Sequence, residues 1–321
     1  MPGYCCCSVP WASVAGAWTG MRSTFAVASA ILLACAVATD PVAADRRILH
    51  REQSLYHTIL VVDEPTRLCL KFSVRNNTRN QSCVDPHDPK RMVFGYTRMM
   101  IAALLVVPEP RTVLVAGLGG GTLPTALAEL LPNLRVDVVE IDPAVVQVAR
   151  TYFDFQENDR VSVHIQDARV FVKRALQRGR QYDLVILDAY SGDYIPEHLM
   201  TAEFLDETRR LLAPGGAVAA NTFATSKLYD HESETYRLVF GEFFNLRVRT
   251  SNNRVILATD GPLPDKATVR ANSRAWRPAL GPYDVPIESY PRRMSTTVDW
   301  DSTKRPLTDQ YSPANLLRGS R

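Results

Sequence analysis

The stretch VLVAGLGGGTLPTALAELLPNLRVDVVEID, running from Val113 to Asp142, decides the fold. Val113 to Ala116 is a short apolar run, long enough for a strand buried on both faces. Gly117, Gly119, Gly120 and Gly121 follow at once. Glycine there lets the backbone turn sharply and come close to a ligand with no Cβ in the way. Thr122 to Leu131 has helical spacing, and Val136 to Val139 is again strand-like. Glu140 ends that second strand, about 20 residues past the turn, where Rossmann-type folds place an acid on ribose hydroxyls.

The spacing of the glycines narrows the ligand. A dinucleotide fingerprint, G-x-G-x-x-G, would need glycine where Thr122 stands, which argues against a nicotinamide oxidoreductase. Gly117, Gly119 and Gly121 instead satisfy G-x-G-x-G, the spacing of folds that bind S-adenosylmethionine-like donors, which have no pyrophosphate to cradle. Glycine runs also serve purely structural turns. Glu140, Asp167 and Asp188, all at expected strand ends, favour a nucleoside site.

Outward from this core the chain alternates. A helix is expected from Pro143 to about Phe153, with Pro143 suited to the first turn. Strands are expected at Val161–Ile165, Tyr182–Leu187 and Ala217–Ala220, and helices at Ala168–Leu176, Thr201–Leu212 and Tyr229–Phe240. Pro214-Gly215-Gly216 reads as a turn. Leu246–Val248 and Val255–Ala258 read as a closing hairpin. The expected fold class is α/β: a Rossmann-like, mostly parallel, doubly wound sheet with a small N-terminal β-hairpin subdomain. Ligands of such sheets bind at the carboxyl ends of the strands, where the glycines and the three acids converge.

Before the core, residues 54–74 read as a β-hairpin, 75–91 as a polar loop and Tyr96–Val107 as a helix. The domain reading is a leader at 1–44, an N-terminal hairpin and helix at 45–107, the donor-binding domain at 108–260 and a Pro/Arg-rich extended tail at 261–321. Two N-x-[ST] sequons start at Asn76 and Asn80. His164 and His198 read as surface or capping residues, Trp276 and Trp300 as packing anchors, and Arg270, Arg274 and Arg277 as a solvated helix face.

The chain has 321 residues, 46% hydrophobic and 22% charged, with a net charge of +3. That balance is ordinary for a globular protein and gives no footing for nucleic acid binding. The first 44 residues differ: their only Lys or Arg is Arg22 and their only acid is Asp40. Met21-Arg22, the apolar run Phe25–Ala38 and the small residues Val42 and Ala44 before Asp45 form a signal-peptide pattern. An uncleaved anchor or a misplaced start are the other readings, and Cys35 offers a loose lipidation match. Any membrane contact would come through this leader alone. Of the six cysteines only Cys69 and Cys83 lie outside it. They would form a disulfide in an exported protein and stay free thiols in the cytosol. No Cys/His cluster has zinc spacing, so no metal is expected.

Several motifs now in view resemble the spermidine synthase family, the polyamine aminopropyltransferases, from about Ser54 to Ala258. Ser54-x-Tyr56-His57-x-Ile59-x-Val61 is similar to the family's S-x-Y-Q-x-I-x-V strand. Gly117–Gly121 stands where the family has GGGDG. Val139-Glu140-Ile141-Asp142 is similar to VEID, Asp167-Ala168 to its D-G or D-A pair, Tyr182–Asp188 to YDVIxxD and Leu199–Leu205 to LFTxEFY. The tail Leu307-Thr308-Asp309-Gln310-Tyr311-Ser312-Pro313 resembles an LTDDYAP-like stretch of longer members.

The resemblance implies a donor site of Gly117, Gly119, Gly121, Glu140 on the ribose, Asp167 and Ala168 at the adenine, and His57. It makes Asp188 the acid that orients and deprotonates an attacking amine, with Tyr56, Gln81, Tyr96, Tyr190 and Asp193 around the acceptor. The implied co-substrate is decarboxylated S-adenosylmethionine or S-adenosylmethionine. The implied partner is a small-molecule amine, with a homodimer admitted. Three departures stand out. Gly120 replaces the Asp of GGGDG, Ser191 replaces the second acid of DxxD, and Leu70-Lys71-Phe72 replaces LDG. The GLGGG form also resembles methyltransferases built on the same fold, and a neutral position 120 suits a donor that keeps its carboxylate.

Three functions therefore stay open: aminopropyl transfer to a diamine such as putrescine, methyl transfer, and nucleoside or polyamine binding without catalysis. Localisation is equally open. The leader argues for export or anchoring, and the cytosolic origin of adenosyl donors argues for the cytoplasm.

Overall fold

The computed structural model describes residues 46–74, 77–190 and 194–313. The leader, and with it the signal-peptide reading, lies outside the described residues, as do Ser191 and Asp193. Two sheets carry the chain. The first is an antiparallel four-stranded meander of β1 (Arg47–Gln53), β2 (Thr58–Glu64), β3 (Arg67–Val74) and β4 (Asn77–Val84). The second has eight strands in the order β12-β10-β11-β9-β8-β5-β6-β7. They are β5 (Thr112–Ala116), β6 (Arg135–Glu140), β7 (Val161–Ile165), β8 (Tyr182–Leu187), β9 (Leu212–Phe223), β10 (Phe244–Arg247), β11 (Asn253–Thr259) and β12 (Met294–Ser295). Strands β5 to β9 run parallel, and β10 to β12 extend the sheet antiparallel.

The parallel strands are buried on both faces, which is why their sequences are unbroken apolar runs. In β5, Val113 and Val115 enter one core, and Leu114 and Ala116 the other. The first core is closed by α1 (Gly95–Met100), α2 (Thr122–Leu130), α3 (Pro143–Tyr152) and α7 (Lys266–Leu280). The second is closed by α4 (Ala168–Gln177), α5 (Ala202–Arg210) and α6 (Tyr229–Phe240). The chain winds outward from β5 through β6 to β7, then crosses back to β8 on the other side of β5. A cleft must therefore open between the ends of β5 and β8, the switch point of the topology.

The first sheet lies on α3: Ile59, Val61, Leu70 and Phe72 pack on Val145, Val148 and Phe153. Ser54 fastens this contact. Its hydroxyl donates to Asp142 Oδ2 at 2.5 Å, while Asp142 Oδ1 accepts from Ala144 N and caps α3. Cys69 and Cys83 face each other across β3 and β4 and form a disulfide. Of the two states the sequence left open, the structure contains the bridged one.

Four expectations from sequence need correction. Asn77–Val84, read as loop, is the fourth strand of the sheet; its polar composition hides it, and pairing to β3 plus the disulfide make it. Ser54–His57, read as the start of a strand, is a turn in which Ser54 Oγ accepts from Tyr56 N and His57 N. Gly215-Gly216 does not end an element: β9 runs on from Leu212, and a Cβ on Gly216 would approach the carbonyl oxygens of Tyr182 and Asp183 at 3.0 and 3.1 Å. The tail is not extended. It forms the fifteen-residue α7, capped by Asp265, adds β12 to the sheet and then makes a turn at Thr308–Tyr311. Only a few α7 residues, Val269 and Leu280 among them, are buried, so its apolar period is too sparse to read. Tyr96–Val107 is helical as far as Leu105, its second half a 3-10 turn.

Candidate active site

The strand order lays the expected residues in a line. Asn221 lies on β9, Asp188 follows β8, Gly117 follows β5, Glu140 ends β6 and Asp167 follows β7. Neighbouring strands sit about 4.8 Å apart. These five positions therefore form a row along one edge of the sheet, long enough for an adenosine and a short tail. A cavity of about 350 Å³ runs along them, and all five line it. The first sheet roofs it with Phe72, Asn80, Gln81 and Ser82, and the turn between β1 and β2 adds Tyr56 and His57. The segment Tyr194–Leu199 closes the end near Asp167.

The glycine turn is shaped for close approach. Gly117 has φ +101°, and a Cβ there would come within 2.4 Å of the Asp188 carbonyl oxygen. Gly121 does not line the cavity. It has φ +81°, leads into α2, and a Cβ on it would meet the Phe155 ring at 2.5 Å. At Gly120 a Cβ would meet Ser82 Oγ at 2.7 Å and the Phe153 ring at 3.1 Å. The space an acid would fill at 120 is thus already occupied by Ser82 of the first sheet and Phe153 at the end of α3.

The three acids have different surroundings. Glu140 Oε2 accepts from Leu118 N and Oε1 from Asp142 N, both at 3.0 Å. Burial pushes its carboxyl up, and these two amides hold it back. Each oxygen keeps a lone pair directed away from the amides, which is what a pair of vicinal hydroxyls needs. Asp167 caps α4 through Val170 N at 2.9 Å, and its Oδ2 lies 2.8 Å from His198 Nε2. That hydrogen bond holds the Asp167 carboxyl below its ordinary value. Asp188 accepts from Asn221 Nδ2 at 2.8 Å on Oδ1, and its Oδ2 makes no hydrogen bond to any described residue. Burial raises Asp188 to about 7, against the opposing effect of Asn221.

Around Asp188 the walls are aromatic and amide. Tyr190 donates to the Asn221 carbonyl at 2.9 Å and meets Phe223 edge-on. Tyr96 donates to the Gln81 carbonyl at 3.3 Å. Burial pushes both phenols up, so they stay neutral hydroxyls. His57 stacks on Phe72 with ring centroids 4.1 Å apart, and burial lowers its pKa, keeping it uncharged at neutral pH. Tyr56 stands exposed at the mouth.

The structure thus brings together every expected site residue among those described except Gly121. Sequence reasoning missed Asn221 and Asn253. Asn253 Nδ2 donates to Asn221 Oδ1 at 2.9 Å, which fixes the amide so that its nitrogen faces Asp188. The signal was present: a lone Asn in the apolar run AVAANTF of a buried strand calls for polar partners. His198 is exposed, as a surface residue, but the sequence reading missed the carboxylate partners of both histidines. His198 grips Asp167, and His164 lies 2.7 Å from Asp137, partners 31 and 27 residues away that no local spacing reveals. The tryptophans do pack: Trp276 against the first core, Trp300 stacked on Phe243. Among the described residues no group of three His, Cys, Asp or Glu could hold a metal.

A doubly wound sheet with its cavity at the β5/β8 switch point is the Rossmann-like fold of class I methyltransferases and spermidine synthases. A probable spermidine synthase from Corynebacterium glutamicum has this fold, with a TM-score of 0.59 at 20% identity over 81% of this chain and 99% of that one. Residues 93–249 match the spermine/spermidine synthase domain. A polyamine aminopropyltransferase from Vibrio vulnificus is 50% identical over 274 residues, 84% of this chain and 91% of that protein. The eEF1A lysine and N-terminal methyltransferase of Mus musculus is 29% identical over 194 residues, 58% of this chain and 27% of that protein. The chain belongs to the spermine/spermidine synthase family and is a transferase.

Proposed function

We propose that the protein transfers the aminopropyl group of decarboxylated S-adenosylmethionine to a diamine, with putrescine as the simplest acceptor. The observation that carries this reading is the Asp188 carboxylate, with one oxygen tied to Asn221 and the other without a hydrogen bond among the described residues, beside Gly117 and in line with Glu140 and Asp167. Its support from relatives is the half-identical aminopropyltransferase of Vibrio vulnificus.

In this reading adenine lies at Asp167 and Ala168, ribose hydroxyls donate to Glu140, and the sulfonium sits over Gly117–Gly119. The acceptor enters between Tyr96, Gln81 and Tyr190, and Asp193, where the sequence places an acid, would hold its far end. A protonated amine has no lone pair, so it must first lose a proton, and Asp188 Oδ2 takes it. The freed nitrogen attacks the methylene next to sulfur. A carbon–nitrogen bond forms, the carbon–sulfur bond breaks, and the bonding pair returns to sulfur. The products are the extended polyamine, as a secondary ammonium, and neutral methylthioadenosine. The neutral tyrosines and amides around Asp188 leave it as the local negative charge for a cation to find.

One observation favours a second reading, methyl transfer from S-adenosylmethionine: Ser82 and Phe153 fill the space beside Gly120, so no acid stands there to repel a donor carboxylate. The product nucleoside separates the two. With putrescine and the decarboxylated donor, the first reading expects methylthioadenosine and spermidine. Release of S-adenosylhomocysteine from S-adenosylmethionine, with no methylthioadenosine from the other donor, would overturn it in favour of the second.

A further inference from the structure

We propose that the C-terminal turn Leu307–Tyr311 is a clasp that fixes the adenine end of the donor pocket, with Asp309 as its positioning residue. The inference rests on the adenosyl reading of the cavity. That end of the cavity has two walls: the first turn of α4, with Asp167 and Ala168, and the segment Tyr194–Leu199 ahead of α5. The second wall belongs to no strand of either sheet. At the cavity itself the walls meet through His198 and Asp167, whose side chains are 46% and 26% exposed. A contact that open to water holds the walls only weakly.

Behind that pair the tail joins the same two walls more firmly. Arg169, two residues past Asp167, has a side chain only 11% exposed; its partner Asp309 is 41% exposed, and the strength of the join lies in the number and geometry of its hydrogen bonds. Its Nη1 and Nη2 donate to the two oxygens of Asp309 at 2.6 and 2.7 Å, a bidentate fork. Its Nε and Nη2 also donate to Glu207 of α5 at 3.0 and 3.2 Å. Asp309 Oδ1 accepts as well from the hydroxyl of Thr201, the residue that caps α5 just past the second wall. Asp309 N donates to Glu203 Oε2, and Ala202 N donates to the Leu307 carbonyl. Leu307 is fully buried against Met200, and its N–H donates to Thr235 Oγ1. Paired backbone bonds between Thr308 and Tyr311 close the turn.

Asp309 therefore touches α4 through Arg169 and the α5 cap through Thr201 without lining the cavity. Both walls are set by one carboxylate from the far end of the chain. Loosening it lets the two walls separate and weakens adenine binding, while Asp188 and the acceptor side, three strands along the sheet, keep their geometry.

The test uses the full chain with Asp309→Asn and Asp309→Ala. Calorimetry reads methylthioadenosine binding, steady-state kinetics read the KM of each substrate and kcat, and thermal melting reads folding. The clasp predicts methylthioadenosine binding and donor KM each weakened about tenfold, with acceptor KM and kcat within about twofold. Arg169→Lys keeps the charge but cannot fork, and should move donor KM in the same direction. A lower melting temperature with unchanged methylthioadenosine affinity would make Asp309 structural only and overturn the inference. Equal losses in donor and acceptor KM would overturn it too. Failure of the unaltered protein to bind methylthioadenosine would instead remove the adenosyl reading on which the clasp rests.

Discussion

Asp188 is a carboxyl whose surroundings oppose its charge. Burial raises it to about 7, so it is half neutral at that pH and a working base only above it. The kcat/KM for the amine is therefore expected to rise with pH through about 7 and to fall away in acid. Asn221→Ala removes a hydrogen bond that favours the charged form, so the profile should shift to higher pH; an unmoved profile would detach Asn221 from the base. Asp188→Asn should cost about 10²- to 10⁴-fold in rate, the usual contribution of a positioned base. The same change should also stabilise the protein. A carboxyl with a raised native pKa weighs on the fold as pH rises from its unfolded value toward about 7, and the cost is complete above that. Asp188→Asn should therefore melt higher than the parent at pH 8 and the same at pH 4. A lower melting point at pH 8 would contradict the burial of the charge.

Elements of the first sheet show how a weakly apolar strand is held. β4 reads Asn-Thr-Arg-Asn-Gln-Ser-Cys-Val and has little to bury. Its register to β3 is secured by the disulfide between Cys69 and Cys83, 14 residues apart in sequence. Closing a loop of that size removes about 3 kcal/mol of unfolded-state freedom. Reduction should lower the thermal midpoint by several degrees, and Cys83→Ser should match the reduced protein. Because Gln81 and Ser82 sit on β4 over the glycine turn, the bridge that holds the strand also holds the roof of the site. A midpoint indifferent to reductant would show that pairing to β3 alone suffices.

Across the whole molecule the parallel sheet and its antiparallel extension are locked by a buried ion pair. Arg254 of β11 is fully buried, donates to Glu232 of α6 at 3.0 Å, to Thr222 and Ser233 at 2.7 Å, and lies 3.8 Å over the Tyr229 ring. Arg254 follows Asn253 on β11, and its cross-strand partner Thr222 follows Asn221 on β9, so the pair is anchored one residue from the two amides beside Asp188. Burial raises the Glu232 carboxyl, with Arg254 opposing. Breaking such a pair leaves an uncompensated charge, so Glu232→Ala should lose about 3–5 kcal/mol in urea unfolding at pH 7.5. A loss under about 1 kcal/mol would mean the guanidinium finds other partners.

The Gly117–Gly121 turn, the alternation of apolar strands and helices, and the acids at 140, 167 and 188 were all legible in the chain itself. Each is local: a strand buried on both faces must be apolar throughout, and a turn that meets Asp188 at van der Waals distance must lack a Cβ. What the sequence could not announce were pairings between residues far apart along it. Asn253 locks Asn221, His198 holds Asp167, Asp309 bridges Arg169 and Thr201, and Arg254 finds Glu232, each across at least 22 residues. Side-chain hydrogen bonds leave no period in the sequence, because their spacing is set by which strands become neighbours. The sequence by itself determined where a ligand could approach; the tertiary structure decided which groups surround it and which of them are already engaged.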